Sequence, residues 1–355
     1  MLNEIRFNNF KCFEDATIKL NKLTVLTGLN GMGKSTVIQG ILALRQSYLM
    51  NNLNRGLELS GKYIDLGNGQ DILYEKAVKD EKITITLVDD IKKKYCFEYE
   101  ANALTLKNAD ENYTQVNDII KTNKFIYLAA DRIIPRKRYD IGNPEDVDNR
   151  DFGNDGEFVL QYLNDHGTET DEGNKEKNLN IELEKWMEEI SPGAEPVVTL
   201  NPDNQLADLK FRFREGKYMT NPYKAINVGF GLTYVLPVVV SLLTAREGDY
   251  IIIENPEAHI HPRGQRKLGE LISLAVQNGA QVILETHSDH VMNGIRLAVK
   301  TGTVSKDEVG FVYFYKDVST YEHLCLYPQI DENGKFDFWP NGFFDEWENS
   351  LMELL

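Results

Sequence analysis

The sequence contains one motif whose residue types and spacing are typical of phosphate binding. Residues 28–36 read Gly-Leu-Asn-Gly-Met-Gly-Lys-Ser-Thr, which matches the pattern G-x-x-x-x-G-K-[ST]. Glycines in such a loop let backbone N–H groups turn toward phosphate oxygens, and a following helix adds the partial positive charge of its N-terminus. We therefore predict that this loop binds the phosphates of a nucleotide. The residues predicted to do so are Asn30, Gly31, Met32, Gly33, Lys34, Ser35 and Thr36.

Three side chains of the loop have separate expected roles. Lys34 would reach the β- and γ-phosphate oxygens, Ser35 would offer its hydroxyl to Mg²⁺, and Thr36 would add a further phosphate contact. The alternative is a chance match in a glycine-rich turn. The context disfavours it, because a short apolar run precedes the loop and apolar residues at helical spacing predict a helix of about four turns after it.

Carboxylates follow a second apolar run. Residues 250–253 read Tyr-Ile-Ile-Ile, and Glu254, Asn255, Pro256 and Glu257 come directly after them. Acids at the end of a buried strand are what a Mg²⁺ site needs opposite a phosphate loop. A parallel strand with an ordinary polar end is the alternative.

Two further segments place polar groups beside predicted elements. Residues 227–231 read Asn-Val-Gly-Phe-Gly and open an apolar helix over 232–243. Glycines before a helix make a second candidate seat for an anion. Residues 284–288 end another strand with His287.

The elements that must position these groups follow from the hydrophobic pattern. Continuous apolar runs at 250–253, 282–284 and 311–315 alternate with helical segments, which predicts buried parallel strands. The chain is thus expected to be an α/β protein.

Two other regions have different patterns. Period-two alternation at 83–88 and 95–99 predicts an antiparallel hairpin. Residues 142–180 are rich in Asn, Asp, Glu and Gly, and predict a surface excursion with one helix near 157–163.

Composition narrows the function further. The 355 residues include 39 Lys and Arg against 55 Asp and Glu, a formal charge of −16. This charge excludes unselective binding to nucleic-acid backbones, so any nucleic-acid contact needs a local patch. The densest basic patch is Arg132, Arg136, Lys137 and Arg138, for which a solvated loop is the alternative.

Cysteine usage and hydropathy indicate the compartment. Cys12, Cys96 and Cys325 are too far apart to suggest a disulfide framework or a zinc site. The N-terminal residues have no apolar secretion signal, and the longest apolar run, 235–243, is half of a membrane span. We expect a cytoplasmic protein with no membrane partner.

Taken in order, the motifs resemble those of ABC-type ATPases of the SMC, RecF and OLD (overcoming lysogenization defect) group. The phosphate loop is similar to Walker A, residues 254–257 to Walker B, and His287 to the switch histidine. The segment at the signature position consists of Asn227, Val228, Gly229, Phe230 and Gly231. Residues 258–262 and 127–132 add further matches. The C-terminal Trp-Pro-Asn-Gly-Phe-Phe-Asp at 339–345 looks like the ending of a short subfamily often encoded beside nuclease-like or other effector partners.

The resemblance implies a fold. An ABC-type P-loop NTPase head has two lobes, here expected at 1–225 and 226–355. The first would carry Walker A, an antiparallel β subdomain and a surface insertion near 142–190, and the second the signature, Walker B, switch histidine and tail. No heptad array lies between Walker A and Walker B, so a long coiled coil is not expected. The stretch after His287 is expected to be too short for the nuclease domain that OLD-type proteins append.

The resemblance also implies a dimer and cofactors. In this fold ATP lies between two heads, so the signature segment of one copy would face the γ-phosphate bound by the other, which requires a two-fold homodimer. Mg²⁺ would be held near Ser35, Glu254 and Gln70. Gln70 lies where related proteins place a glutamine loop, and an exposed turn residue is the alternative.

The sequence departs from the family pattern at the catalytic position. Asn255 replaces the usual Glu, and an amide cannot accept a proton, whereas a general base contributes roughly 10²–10⁴-fold in rate. We therefore expect slow hydrolysis, with Glu257 as the candidate base and His287 orienting water or sensing the γ-phosphate. Glu257 would share a face with Asn255 only if the chain stayed extended through Pro256.

Three functions remain open from the sequence. The first is a dimeric ATPase that senses or regulates, with an effector partner, in a bacterial-type antiviral defence or DNA-repair system. The second is a non-hydrolysing scaffold that ATP holds together. The third is a metal-dependent hydrolase built on four histidines and three acids: His259, His261, His287, His290, Glu254, Glu257 and Asp289.

Overall fold

The computed structural model describes residues 1–78, 82–109, 115–168 and 178–354. These residues form seventeen β-strands and ten α-helices, numbered here in chain order. The strands are β1 Glu4–Phe10, β2 Phe13–Lys19, β3 Leu23–Gly28, β4 Gly56–Glu58, β5 Ile83–Val88, β6 Lys92–Phe97, β7 Thr105–Lys107, β8 Phe125–Leu128, β9 Tyr139–Asp140, β10 Ala194–Asn201, β11 Leu206–Glu215, β12 Tyr218–Met219, β13 Tyr223–Lys224, β14 Tyr250–Glu254, β15 Gln281–Glu285, β16 Val309–Lys316 and β17 His323–Leu326. The helices are α1 Lys34–Leu49, α2 Gly69–Ile72, α3 Asp118–Lys121, α4 Pro144–Asp148, α5 Val159–His166, α6 Leu179–Ile190, α7 Phe230–Leu243, α8 Pro262–Gln277, α9 Asp289–Lys300 and α10 Glu346–Leu354.

The chain divides into two compact units, each built from separate segments. Unit 1 contains residues 1–123, 307–329 and 336–355, and unit 2 contains residues 124–306 and 330–335. The boundary expected from the sequence, between residues 225 and 226, falls inside unit 2.

Unit 1 contains an antiparallel sheet in the order β2-β1-β5-β6. The hairpin predicted from period-two alternation is confirmed, since Ile83 pairs with Phe97 and Val88 with Lys92. Its inward side chains, including Ile83, Ile85 and Leu87, are fully buried. The sheet packs its apolar face into the core of this unit, as expected for strands with one buried face.

Unit 1 also contains the strand that leads into the phosphate loop. β3 pairs in parallel with β16, and β16 pairs antiparallel with β17. All six residues of β3 are buried, as expected for a strand that is covered on both faces. Helix α1 follows the loop and is confirmed at the predicted place, with most of its residues buried.

Unit 2 contains a parallel set of strands in which β14 lies between β8 and β15. Ile251, Ile252, Ile253 and Val282 are fully buried. The parallel arrangement predicted from the continuous apolar runs is therefore confirmed for β14 and β15. Because both strands point the same way, the residues after Glu254 and Glu285 leave the same edge of these strands.

A second sheet of unit 2 is built around β11. Through residues 206–213 this strand pairs with the whole of β10 on one side, and it pairs with β9 and β13 on the other. The short segment after β13 leads directly into α7, the apolar helix predicted over 232–243.

The expected surface excursion near 142–190 differs from the structure. Val147, Val159 and Leu160 are fully buried in unit 2, and α5 forms close to its predicted position. Arg150 and Asp249 form a buried bidentate ion pair with N–O distances of 2.5 and 2.8 Å. Apolar residues spaced through a polar segment thus build part of the core. Residues 169–177 of this segment lie outside the described residues.

In the described part of the chain, none of the helices combines the length and apolar character that crossing a membrane requires. The three cysteines are free thiols.

Candidate functional site

The phosphate loop depends on glycine at positions where other residues would be strained or would collide. Gly31 and Gly33 have positive φ values of 76° and 113°. A Cβ at Gly33 would lie 2.6 Å from Cζ of Phe13, and a Cβ at Gly28 would lie 2.3 Å from the carbonyl oxygen of Phe314. The loop can therefore turn sharply between β3 and α1 only with glycine at these places.

Lys34 lies inside the loop. Its ammonium group donates hydrogen bonds to the carbonyl oxygens of Gly28 and Leu29, each at 2.9 Å, and its side chain is almost fully buried. Lys34 is also the first residue of α1, whose first-turn N–H groups have no acceptor within the helix. A buried ammonium beside a helix N-terminus is a donor set that fits phosphate oxygens. The loop residues present therefore fit a triphosphate.

A cavity of about 520 Å³ opens beside the loop within unit 1. Its lining includes side chains that sequence reasoning did not select: Lys11, Gln39, Asp71, Lys316, Tyr321 and His323. Lys11 donates to Oε1 of Gln39 at 2.8 Å, and burial lowers the pKa of Lys11. His323 Nδ1 lies 3.2 Å from the carbonyl oxygen of Met32. Asp71 follows Gln70, which the sequence analysis did select, and the other five residues come from separate parts of the chain and share no motif.

Gln70 lies in the four-residue helix α2, where its side chain is exposed. Among the described residues that line the cavity, the neighbouring Asp71 is present and Gln70 is not. Asn68 and Asp71 form a capping box that fixes this helix. The expected role of Gln70 in holding Mg²⁺ stays a prediction.

Glu254 ends β14 in a largely buried position within unit 2. The hydroxyl of Tyr127 donates to its Oε1 at 2.8 Å. Burial raises the pKa of Glu254, and the bond from Tyr127 and the charge of Arg132 lower it in part. Burial likewise raises the pKa of Tyr127 well above its usual range, so its hydroxyl keeps its proton and donates.

The chain turns at Asn255 instead of staying extended through Pro256. Asn255 has a φ of 44°, in the left-handed region, and its N–H donates to the carbonyl oxygen of Glu285 at 2.8 Å. The turn sends the carboxylate of Glu257 back to the end of β15, where Oε1 accepts the backbone N–H of His287 at 2.8 Å. The structure thus brings Glu257 and His287 together.

The second carboxylate oxygen of Glu257 has an unusual environment. Oε2 is buried, and among the described residues it has no hydrogen-bond partner. Burying an acceptor without a hydrogen-bond donor costs free energy. Such an atom therefore indicates that a donor, such as a bound water molecule or ligand, reaches it in the functional state. The side chain of His287 is exposed.

The basic patch expected from the sequence separates into two parts. Arg136, Lys137 and Arg138 are exposed. Arg132 is only 2% exposed, and its guanidinium donates to backbone carbonyl oxygens near the Walker B turn. Arg132 is therefore not part of a surface patch, because burial against those carbonyls removes it from solvent.

The signature segment lies at the start of α7. Asn227, Gly229 and Phe230 are exposed, and a Cβ at Gly229 would meet nothing within 4 Å. Gly231 is tightly packed instead, since its Cβ would lie 2.2 Å from the carbonyl oxygen of His259. There is therefore room for a side chain at position 229 but not at position 231.

The histidine-based metal site finds no support in the geometry. Within residues 1–78, 82–109, 115–168 and 178–354, no three His, Cys, Asp or Glu side chains come together in a way that could hold a metal ion.

Comparison with known families identifies the chain. Residues 23–293 match the family described as "AAA domain, putative AbiEii toxin, Type IV TA system". The chain belongs to this AAA-domain family. Residues 304–354 match a second family, described as "Protein of unknown function (DUF3696)". No curated protein matches this sequence significantly.

One solved structure supports the same fold, and two others are similar with lower scores. An SMC head bound to the C-winged helix domain of ScpA is 12% identical, with a TM-score of 0.50, over 92% of this chain and 98% of that chain. The SMC head domain from Thermotoga maritima has a TM-score of 0.47 and 11% identity, over 93% and 99%. An SMC head domain from Pyrococcus furiosus, with an extended coiled coil and the C-terminal domain of ScpA, has a TM-score of 0.48 and 12% identity, over 99% of each chain.

These findings confirm the resemblance to ABC-type ATPases of the SMC and RecF group, and the match of residues 339–345 to the ending of a short subfamily stays a prediction. This AAA-domain protein has the α/β fold of P-loop ATPases of the SMC-head type, and no long coiled coil is present among its described residues. The residue-level assignments of Walker A, Walker B, signature and switch histidine stay predictions.

Proposed function

We propose that this chain is a Mg²⁺-dependent ATPase that binds ATP at residues 30–36 and hydrolyses it slowly. The observation that carries the proposal is the buried Lys34 ammonium at the N-terminus of α1, inside a loop that Gly31 and Gly33 turn inward. Membership of an AAA-domain family supports it.

The proposed ATPase uses Mg²⁺, which would be held by oxygen ligands alone. The expected ligands are the Ser35 hydroxyl, the Gln70 amide and the Glu254 carboxylate, which are the hard donors that Mg²⁺ prefers. When bound, Mg²⁺ neutralises charge on the phosphate oxygens. Tyr127 keeps Glu254 oriented through its 2.8 Å hydrogen bond.

Glu257 is the proposed general base. Its Oε2 is free of donors among the described residues and can accept a proton from the attacking water. The water oxygen then forms the bond to the γ-phosphorus, the bond to the bridging oxygen breaks, and ADP and phosphate leave. The Asn255 amide can hold the water but cannot take its proton. His287 orients the water or contacts the γ-phosphate.

The proposed active form is a homodimer in which residues 227–231 of one copy face the nucleotide bound by the other. The exposure of Gly229 and Phe230 supports this, because a segment that contacts a second copy must reach the surface. The family description names a putative toxin of a Type IV toxin–antitoxin system. We propose a sensor or regulator in bacterial-type defence or DNA repair, working with an effector protein in the cytoplasm.

The experiment measures ATP binding and phosphate release by the purified chain. Lys34→Ala should weaken ATP binding about tenfold to hundredfold, the worth of a charge-assisted hydrogen bond of roughly 1.5–3 kcal/mol. Glu257→Gln should keep ATP binding and lower phosphate release by about 10²–10⁴-fold, the usual contribution of a general base. Lys22→Ala, which removes a partly exposed lysine paired with Glu308, is the control and should change neither quantity.

Two outcomes oppose the proposal in different ways. Unchanged ATP binding in Lys34→Ala would show that the nucleotide does not bind at residues 30–36. ATP binding without phosphate release by the wild type would favour the second candidate, a scaffold that ATP holds together. The specific observation behind this candidate is Asn255, an amide at the position where related ATPases place the catalytic Glu.

A further inference from the structure

Arg132 is buried at the point where the chain leaves β14. Its guanidinium donates to the carbonyl oxygens of Ala129, Glu254 and Asn255 at 2.8, 2.5 and 2.5 Å. Two of these carbonyls belong to consecutive residues of the Walker B turn. A planar fork can hold two neighbouring carbonyls in one arrangement, which a single ammonium group cannot do.

Burying the charged guanidinium of Arg132 costs desolvation free energy, which the contacts of this side chain must offset. Burial lowers the pKa of Arg132, and Tyr234, Glu257 and Glu254 counteract this shift. Its Nε, like Oε2 of Glu257, is buried without a partner in the described part of the chain. A buried cation with an unused donor is retained only where its other contacts are worth the desolvation.

The turn that Arg132 holds determines where Glu257 points. Asn255 takes a left-handed conformation, with a φ of 44°, and the chain reverses over the next residues. Glu257 then reaches the backbone N–H of His287. Without the hydrogen bond from Arg132 to the Asn255 carbonyl oxygen, the backbone of the turn would be held less firmly. The position of the Glu257 carboxylate would then be less well defined.

Tyr234 connects this turn to the signature helix. The Arg132 guanidinium lies over the Tyr234 ring, 4.4 Å from its centroid, and the Tyr234 hydroxyl donates to the carbonyl oxygen of Ala130. Tyr234 is in the first turns of α7, and its ring contacts Phe230 and His259 at centroid distances of 5.7 and 5.3 Å. The start of α7 and the Walker B turn therefore share one packed cluster within unit 2.

We propose that Arg132 is a positioning residue for Glu257, and that Tyr234 links the position of the Walker B turn to the first turn of α7. This inference rests on the proposed function, since it assigns Glu257 as the base. A change at the exposed end of α7 would then reach Glu257 through Tyr234 and Arg132, without any change at the phosphate loop.

The test is a double-mutant cycle on phosphate release. Arg132→Lys keeps a positive charge but loses the planar fork, and should lower kcat about tenfold while the Kd for ATP stays unchanged. In a Glu257→Gln background the same substitution should cost nothing more, because a residue that acts through Glu257 has no effect once the base is gone. An equal loss in both backgrounds would overturn the proposal.

A milder variant probes the link to α7. Tyr234→Phe keeps the ring below the guanidinium and removes the bond to Ala130. It should lower kcat about threefold, the effect of one hydrogen bond of roughly 0.5–1.5 kcal/mol, and only when Glu257 is present. An unchanged kcat, or an equal loss without Glu257, would remove Tyr234 from the link.

Hydrogen exchange tests the same inference without hydrolysis. The His287 amide, which donates to Glu257, should exchange about tenfold faster in Arg132→Lys than in the wild type, as expected when its hydrogen bond opens more often. Arg150→Lys is the matched control, because Arg150 is also a buried arginine of unit 2 but pairs with Asp249. It should leave His287 exchange unchanged.

The outcomes separate the two proposals. If Glu257→Gln alone leaves phosphate release intact, the base assignment is wrong. If the wild type releases no phosphate, hydrolysis is wrong and the exchange rate at His287 still decides whether Arg132 positions Glu257. Unchanged exchange in Arg132→Lys, or faster exchange in both arginine variants, would overturn the inference.

Discussion

Asn255 has a structural reason for its identity that the motif alone does not show. Its φ of 44° places it in the left-handed region, where Asn is among the few non-glycine residues found routinely. A Glu in this left-handed backbone conformation would be strained. A relaxed Glu would need a different backbone conformation and would place its carboxylate elsewhere. The replacement of the usual catalytic Glu is therefore coupled to the turn that brings Glu257 to His287.

Glu254 leads to a prediction of pH dependence. Because burial raises its pKa, its neutral form is favoured in the folded protein compared with the unfolded chain. Above the folded pKa the carboxylate is charged and lowers the free energy of unfolding. Glu254→Gln should therefore be more stable than the wild type at neutral pH. The gap should shrink as the pH falls through the folded pKa toward the usual range of Glu, because the wild type then takes up its own proton.

Urea unfolding at several pH values measures this difference. Glu332→Gln, at a position where the side chain is 77% exposed, is the control and should show no gap at any pH. A Glu254→Gln protein that is less stable at neutral pH, or a gap that widens on acidification, would show that burial is not the dominant influence on Glu254.

The sequence could predict which residues form a site together only where those residues are close in the chain. Residues 28–36 form a loop because their own backbone conformations determine it. His323 and Met32, or Arg132 and Asn255, meet only because distant elements pack together. A single sequence has no periodicity that records such pairs, so Arg132 was assigned to a surface patch.

At the scale of elements, α1 depends on a close approach to β1. A Cβ at Gly40 would lie 2.5 Å from Cε1 of Phe7, whose ring is fully buried and stacks on Phe10 and Phe13. Gly40→Ala should therefore destabilise the protein by about 1 kcal/mol. The cost of overpacking, roughly 1–3 kcal/mol, exceeds the helix-propensity gain of about 1 kcal/mol.

Chemical unfolding of four proteins tests this contact: the wild type, Gly40→Ala, Phe7→Leu and the double variant. Phe7→Leu makes room, so Gly40→Ala should cost less in that background than in the wild type. If Gly40→Ala stabilises the protein by the full propensity gain, the approach of α1 to β1 is looser than the structure indicates.

Elements with a strong hydrophobic period were predicted correctly, and α4 was not predicted. Helix α1, the β5–β6 hairpin and the parallel strands β14 and β15 each show an uninterrupted pattern. The segment around α4 is polar by composition, yet Val147 and Phe152 are buried. A few apolar residues at irregular spacing are enough for a short buried helix, and no window average detects them.

At the scale of the whole molecule, the formal charge of −16 opposes self-association, so ATP must supply contacts that outweigh it. Gly229→Leu should abolish ATP-dependent dimerisation if this segment meets a second copy. Its exposed position and empty surroundings allow a side chain without disturbing the fold, and ATP binding by the separate chains should be unchanged. Analytical ultracentrifugation at fixed ionic strength, with and without a non-hydrolysable ATP analogue, measures the effect.

Asn164→Leu is the control for this variant. It adds the same side chain at another exposed position of unit 2, within α5, and should dimerise as the wild type does. Normal dimerisation by Gly229→Leu would exclude residues 227–231 from the interface. A wild type that stays monomeric with the analogue would exclude the dimer itself.

The glycine loop, the helix after it, the parallel strands and the order of the motifs could all be predicted from the amino-acid sequence alone. These depend on backbone conformation and on hydrophobic periodicity, which act over a few residues. The folded chain was needed to show that the backbone turns at Asn255, that Glu257 accepts a hydrogen bond from the His287 amide, and that Arg132 is buried against this turn. Such contacts join residues 30 to 123 positions apart in the chain. Their energy comes from packing and burial, which exist only once the elements are assembled.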